Sequence, residues 1–128
     1  MNNYLADTTV IVEHLRGNIQ AKHFLEKYSP SISTVTIAEL IQGSRNKQEL
    51  ASSLKVYTSL SEVPIDKKIS RKAIELLQAF NLSQGLLFLD ALIGATALEN
   101  KMILVTGNVK HFKYIKDLQL APQDSIFK

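Results

Sequence analysis

Three acidic side chains lie at points of the chain where a reactive group is expected. Asp7 directly follows a short apolar segment, Glu39 lies just after a second one, and Asp90 begins a long apolar segment. Hard divalent cations such as Mg2+ and Mn2+ take oxygen ligands, usually two or three carboxylates from separate elements. With a cation in place, such a cluster can activate a water molecule and neutralise charge on a phosphate group. We therefore predict a metal-dependent phosphodiesterase site.

Two of the acids also have a purely structural explanation. Asp7 could cap a helix that follows it, because aspartate is a preferred N-cap residue. Thr36 and Glu39 have the Thr-x-x-Glu spacing of a capping box, which would account for Glu39 without a catalytic role. Both alternatives stay open at the level of sequence.

Asp90 is harder to explain by structure alone. Ile93, Gly94 and Ala97 share its face in a helical projection, so the carboxylate is expected to point into an apolar layer. An unpaired carboxylate there would cost several kcal/mol. Asp90 therefore needs a structural partner, a metal ion or a raised pKa.

The elements that must position these acids alternate between strands and helices. Short strands are predicted over residues 4–6, 32–35, 63–65 and 102–105. Helices are predicted over residues 10–15, 21–28, 37–41, 50–57, 69–80 and 89–100. This alternation predicts an α/β fold, with a central parallel sheet of four to five short strands flanked by helices on both faces. In such a sheet the functional crevice lies beyond the carboxyl ends of the strands, where the three acids and Asn108 could converge.

Local signals mark several ends of these elements. Asp66 is expected to cap the helix over residues 69–80, and the segment 81–85 is expected to break it. Pro64 suggests that the strand over residues 63–65 lies at a sheet edge or stops there.

Composition narrows the class of protein. The 128 residues, 45% of them hydrophobic, are enough for a single domain over residues 1–128, and the formal net charge is +3. The chain has no cysteine, which excludes disulfides, thiol nucleophiles and cysteine-ligated metals. It shows neither a secretory signal nor an apolar stretch of membrane length, so we expect a cytoplasmic protein without a membrane segment.

Four segments resemble a known family. Residues 4–13 (YLADTTVIVE), 33–40 (STVTIAEL), 90–97 (DALIGATA) and 104–112 (LVTGNVKHF) are similar, in the same order, to motifs of the PIN domain, and specifically of VapC-type toxins. The resemblance implies a PIN-like domain and a Mg2+-dependent (or Mn2+-dependent) endoribonuclease that cuts structured RNA such as tRNA or rRNA. It also implies a cognate VapB-type antitoxin and a toxin homodimer.

The resemblance also implies roles for individual residues. Asp7, Glu39 and Asp90 match the acidic metal-site residues of the family, and Asn108 falls where many PIN domains supply a fourth acid. The preferred arrangement is one ion contacted by Asp7 and Asp90, with Glu39 acting directly or through water. A hydroxyl-bearing residue, Thr9, stands where the family usually has asparagine.

Further polar residues have weaker signals. Glu13 corresponds to a frequent aspartate of the family, and it is either a supporting group of the site or an exposed helix acid. The histidines lack the spacing of a paired metal motif, and none is predicted as the general base: His14, His23 and His111. Four late lysines could contact RNA phosphates or form a solvated surface: Lys101, Lys110, Lys113 and Lys116.

Three other classes of protein share some of these features. A receiver-type phosphoacceptor needs adjacent acids after its first strand, whereas Asp7 is followed by Thr8 and Thr9. A catalytically inactive PIN-fold binding module and a housekeeping RNA-processing nuclease remain alternatives. Retention of all three acids favours a nuclease, and the short chain without an added domain favours a toxin.

Overall fold

The computed structural model describes residues 3–122, so residues 1–2 and 123–128 of the predicted domain lie outside the described part. The strands are β1 (Tyr4–Ala6), β2 (Ser31–Ser33), β3 (Ser61–Val63) and β4 (Ile103–Val105). The helices are α1 (Thr8–Leu15), α2 (Ile19–Tyr28), α3 (Thr34–Gln42), α4 (Lys47–Thr58), α5 (Lys67–Gln84) and α6 (Phe88–Glu99), and a short 3-10 turn covers Val109–His111.

Within this described part the strands form one parallel sheet in the order β3-β2-β1-β4. The chain runs from β1 outward to β2 and β3, and then returns across the sheet to place β4 on the other side of β1. The order therefore reverses between β1 and β4, the point at which open α/β sheets form their functional crevice. The predicted fold class, with four strands, is confirmed.

Helices cover both faces of the sheet. Leu5 and Leu104 point into one buried cluster, which includes residues of α5 and α6. Their neighbours Ala6 and Val105 point into the other, which includes residues of α1, α2 and α3. This alternation follows from the two-residue period of a strand, and burial on both sides explains why β1 and β4 are apolar throughout.

The signals at Pro64 and Asp66 are confirmed. β3 lies at the edge of the sheet and ends at Val63, directly before the proline. Asp66 caps α5, because its side chain accepts a hydrogen bond from the Ile69 backbone N–H at 2.9 Å. At the opposite edge, the backbone of residues 119–121 bonds to Leu104 and covers β4.

Several predicted ends were wrong. The third strand covers Ser61–Val63 instead of residues 63–65, because the chain leaves the sheet directly before Pro64. The second strand stops at Ser33 instead of residue 35, because the Ser33 hydroxyl caps α3 by accepting from the Val35 backbone N–H at 3.0 Å. Helix α5 continues through the expected breaker to Gln84. Its actual stop is Gly85, whose φ of 76° lies in the left-handed region that favours glycine.

In residues 3–122, no helix combines the length and apolarity needed to cross a membrane.

Phe112 anchors the segment after β4. Phe112 is 0% exposed and packs beside Gly94 of α6 in the α5–α6 core. We expect Phe112→Ala to lower the free energy of unfolding by about 3–5 kcal/mol, because it removes a fully buried aromatic ring. Urea denaturation followed by circular dichroism would measure the loss.

Phe88→Ala is the matched control, since that ring is 50% exposed. It should cost roughly 1 kcal/mol or less. Equal losses in the two variants would contradict the assignment of Phe112 as a core anchor.

Candidate active site

The predicted site residues come together at the carboxyl edge of the sheet. Asp7, Glu39, Asp90 and Asn108 line one cavity of about 700 Å3. They arrive there from four elements: the end of β1, the middle of α3, the first turn of α6 and the segment after β4. Residues far apart in sequence therefore share one site.

Asp7 is the most buried of the acids, with 4% exposure. Its Oδ1 accepts a hydrogen bond from the Thr8 backbone N–H at 2.7 Å, so the carboxylate is the N-cap of α1. Its Oδ2 accepts from the hydroxyls of Thr106 at 2.7 Å and Thr9 at 3.2 Å. The capping role and the location in the cavity coexist, because the carboxylate follows β1 at the point where α1 begins.

Burial and the negative charge of Asp90 both act on the carboxyl of Asp7. Burial raises the pKa of the Asp7 carboxyl above its usual value, and the negative charge of Asp90 raises it further. The hydrogen bonds from Thr106, Thr8 and Thr9 oppose this shift, since they stabilise the ionised form. The negative charges of Asp7 and Asp90 therefore repel each other, and the burial of Asp7 makes this repulsion harder to offset.

Two consecutive threonines serve different acids. The Thr8 hydroxyl donates to Oε1 of Glu39 at 2.6 Å and lies 3.1 Å from the Thr36 hydroxyl. The Thr9 hydroxyl donates to Asp7 and accepts from the Gly107 backbone N–H at 2.8 Å. At the position where the family usually has asparagine, a hydroxyl thus makes the contact with the acid.

The capping-box explanation of Glu39 is wrong. Ser33, not Thr36, is the N-cap of α3, so Glu39 lies too far along the helix to reach back to the capping residue. Its carboxylate is instead held by Thr8 from α1. This contact joins α1 to α3 at the cavity.

The expectation that Asp90 points into an apolar layer is also wrong. Its side chain is 33% exposed, and it opens into the cavity because it lies in the first turn of α6. Only the following residues, 91–97, run beneath the sheet and are buried. Its partner is His111, whose Nδ1 lies 3.3 Å from Oδ2 of Asp90.

Sequence reasoning missed several residues of the cavity, among them His111 and Arg16. His111 stands inside the last motif, three residues after Asn108, and that position is the signal that could have identified it. Arg16 follows α1 and carries no comparable signal. Within residues 3–122 it is the one lysine or arginine among the lining residues, and Glu13 also lines the cavity.

None of the four late lysines lines the cavity. Lys101 precedes β4 and therefore lies at the amino end of that strand, away from the carboxyl edge that carries the cavity.

The cavity does not contain a ready-made set of three metal ligands. In the described part of the chain, no three Asp, Glu, His or Cys side chains converge closely enough to hold a metal ion. The metal set Asp7, Glu39 and Asp90 stays a prediction. The geometry offers instead two mutually repelling carboxylates, Asp7 and Asp90, and a third carboxylate held by Thr8.

Comparisons with known proteins agree with this arrangement. The sequence matches the PIN domain family over residues 4–118. It is 34% identical, over 120 residues that cover 90% of each chain, to "Ribonuclease VapC10" of Mycobacterium tuberculosis.

Solved structures show the same fold. The structure of VapBC2 from Rickettsia felis bound to a promoter DNA fragment matches with a TM-score of 0.77 and 26% identity, covering 92% of this chain and 96% of that one. A toxin-antitoxin complex from Klebsiella pneumoniae matches with a TM-score of 0.75 and 26% identity, covering 88% and 92%. This chain therefore belongs to the PIN domain family and, within it, to the VapC-type proteins.

Proposed function

We propose that this protein is a metal-dependent endoribonuclease and the toxin of a VapBC-type toxin-antitoxin pair. The observation that carries the proposal is the convergence of Asp7, Glu39 and Asp90 on one cavity at the carboxyl edge of the sheet. The similarity to a protein named as a ribonuclease supports RNA as the substrate. Structured RNA such as tRNA or rRNA is the proposed target class.

The acids fit a divalent cation of the Mg2+ or Mn2+ type. Mg2+ is commonly held by one or two carboxylates together with water and substrate phosphate, so a preformed set of three protein ligands is not required. Asp7 and Asp90 supply two carboxylates that a cation would relieve of their mutual repulsion. When bound, such an ion lowers the pKa of water and neutralises charge that develops on a phosphate.

The remaining side chains of the cavity would act on water and RNA. Thr8 occupies Oε1 of Glu39, so Oε2 can accept a proton from water in the cavity. Arg16 supplies a permanent positive charge beside the acids, where it can bind an RNA phosphate. Asn108 offers an amide at the same opening.

We further propose a VapB-type antitoxin and a second copy of the toxin as protein partners. Proteins of this fold have been solved as toxin-antitoxin complexes. The chain also has a second cavity of about 520 Å3 between α1, α2 and α4, whose lining includes Leu15, Leu25, Val56 and Leu60. This lining gives an apolar segment of an antitoxin a place to bind.

The first test is cleavage of total cellular RNA by the purified protein. With Mg2+ or Mn2+ the wild type should cut, and EDTA should abolish cutting. Asp7→Asn and Asp90→Asn should each lower the rate by about 100-fold or more, because each removes a charge that the cation needs. Gel analysis and sequencing of the cleaved ends would measure the effect.

Circular dichroism should show that both variants keep the wild-type fold. Equal cutting by the wild type and the variants would contradict the assigned site. An absence of cutting by a correctly folded wild type would favour a binding module.

Expression in a bacterial host tests the toxin assignment. The wild type alone should arrest growth, and co-expression with the VapB-type protein encoded beside it should restore growth, because the antitoxin would cover the site. Growth curves, together with light scattering of the purified toxin, give the readout. A wild type that is harmless and monomeric would contradict the pairing, and the Asp7→Asn variant is the control for protein burden.

Arg16 gives a separate test of RNA binding. Arg16→Ala should raise KM for RNA and leave kcat largely unchanged, because the guanidinium binds phosphate without taking part in bond cleavage. The slope of log KM against log salt should fall by about 1. Arg71→Ala on α5, which does not line the cavity, is the matched control and should change neither quantity.

A further inference from the structure

We propose that Thr9 is a positioning residue that, together with Thr106, ties the loop after β4 to the carboxylate of Asp7. The inference rests on the proposed nuclease function for its kinetic consequence. Its structural content is independent of that function. It concerns a position at which this chain has threonine in place of the asparagine usual in the family.

Two parallel hydrogen-bond relays connect the loop to Asp7. In the first, the Gly107 backbone N–H donates to the Thr9 hydroxyl at 2.8 Å, and this hydroxyl donates to Oδ2 of Asp7 at 3.2 Å. In the second, the Asn108 backbone N–H donates to the Thr106 hydroxyl at 2.9 Å, which donates to the same oxygen at 2.7 Å. Two consecutive amides of the loop are thus linked to one carboxylate oxygen.

The direction of each relay is fixed by the hydrogens available. A hydroxyl has one hydrogen, a backbone N–H can only donate, and an ionised carboxylate can only accept. Each threonine therefore accepts from the loop and donates to Asp7. The 3.5 Å separation between the Thr9 and Thr106 hydroxyls needs no hydrogen of its own.

The relays also determine which oxygen of the Asp7 carboxylate can still accept a contact from a group in the cavity. Within residues 3–122, Oδ2 accepts hydrogen bonds from both hydroxyls, and Oδ1 accepts one from the Thr8 backbone N–H alone. A carboxylate has about four lone-pair sites, so the remaining acceptor position lies on Oδ1. Thr9 thereby helps to orient the acid.

The loop held in this way leads to other groups of the site. Asn108 lines the cavity, and the following 3-10 turn ends at His111, which contacts Asp90. The segment from 106 to 111 therefore joins the two acids, Asp7 at its start and Asp90 at its end. Loss of the Thr9 hydroxyl would leave Thr106 as the one side-chain link of this kind to Asp7 within the described residues.

The test compares Thr9→Val, which keeps the shape but removes the hydroxyl, with Thr9→Ser, which keeps the hydroxyl. A hydrogen bond to a charged group corresponds to about a ten- to hundred-fold change in an equilibrium. Thr9→Val should speed amide exchange of Gly107 by about ten-fold and lower kcat for RNA cleavage by about ten-fold, with KM changed by less than about two-fold. Thr9→Ser should restore both quantities.

Thr96→Val is the matched control, because it removes a buried hydroxyl bond of 2.7 Å inside α6. It should leave the exchange rate of the Gly107 amide and kcat unchanged.

If Thr9→Val does not fold, Thr9→Ala removes the same hydroxyl at a helical position where alanine is favourable. The proposal would be overturned if a folded variant without the hydroxyl exchanged the Gly107 amide at the wild-type rate. It would also be overturned if Thr9→Ser were as impaired as Thr9→Val. A wild type that cuts no RNA would instead overturn the nuclease function, and Gly107 exchange would still decide the role of Thr9.

Discussion

The rest of the structure depends on keeping one buried carboxylate hydrogen-bonded. Asp7 is 4% exposed at the end of the central strand β1, where a charge without partners would cost several kcal/mol. Its partners come from both sides: the first amide of α1, the hydroxyl of Thr9 and the hydroxyl of Thr106. Since Thr106 follows β4, the carboxylate can be satisfied only when β1 and β4 are neighbours. Stability of the sheet and assembly of the site therefore share the same contacts.

The strand order explains why the buried carboxylate of Asp7 lies at the cavity. Because β2 and β4 flank β1, the chain leaves the central strand in one direction and returns on the other side. The cavity opens at this reversal, and α3 and α6 each bring one acid to it. Glu39 is held by Thr8 and Asp90 by His111, so each acid has its own neighbour. A site rich in negative charge is kept in place by hydroxyls, amides and one histidine.

Most of the fold could be predicted from the sequence because its signals are local. The periods of apolar residues located all six helices and three of the four strands of the described part, and the third strand was placed two residues too late. Asp66 and Pro64 marked real ends. The errors have physical reasons. Ser33 caps α3, so the helix begins before the position that a cap at Thr36 would give. Helix α5 ends at Gly85 because the backbone there is left-handed, a conformation that glycine adopts more readily than the residues before it.

The candidate site could also be predicted from the sequence only in part. The sequence by itself determined which acids are available, and their positions at the ends of apolar segments placed them at one edge of a parallel sheet. The tertiary structure alone decided their distant partners: Thr8 for Glu39, His111 for Asp90, and Thr106 for Asp7. It also decided that Asp90 opens into the cavity. The physical reason is that strand and helix periods depend on neighbouring residues, whereas a hydrogen bond between side chains 21 to 99 positions apart depends on how the elements pack.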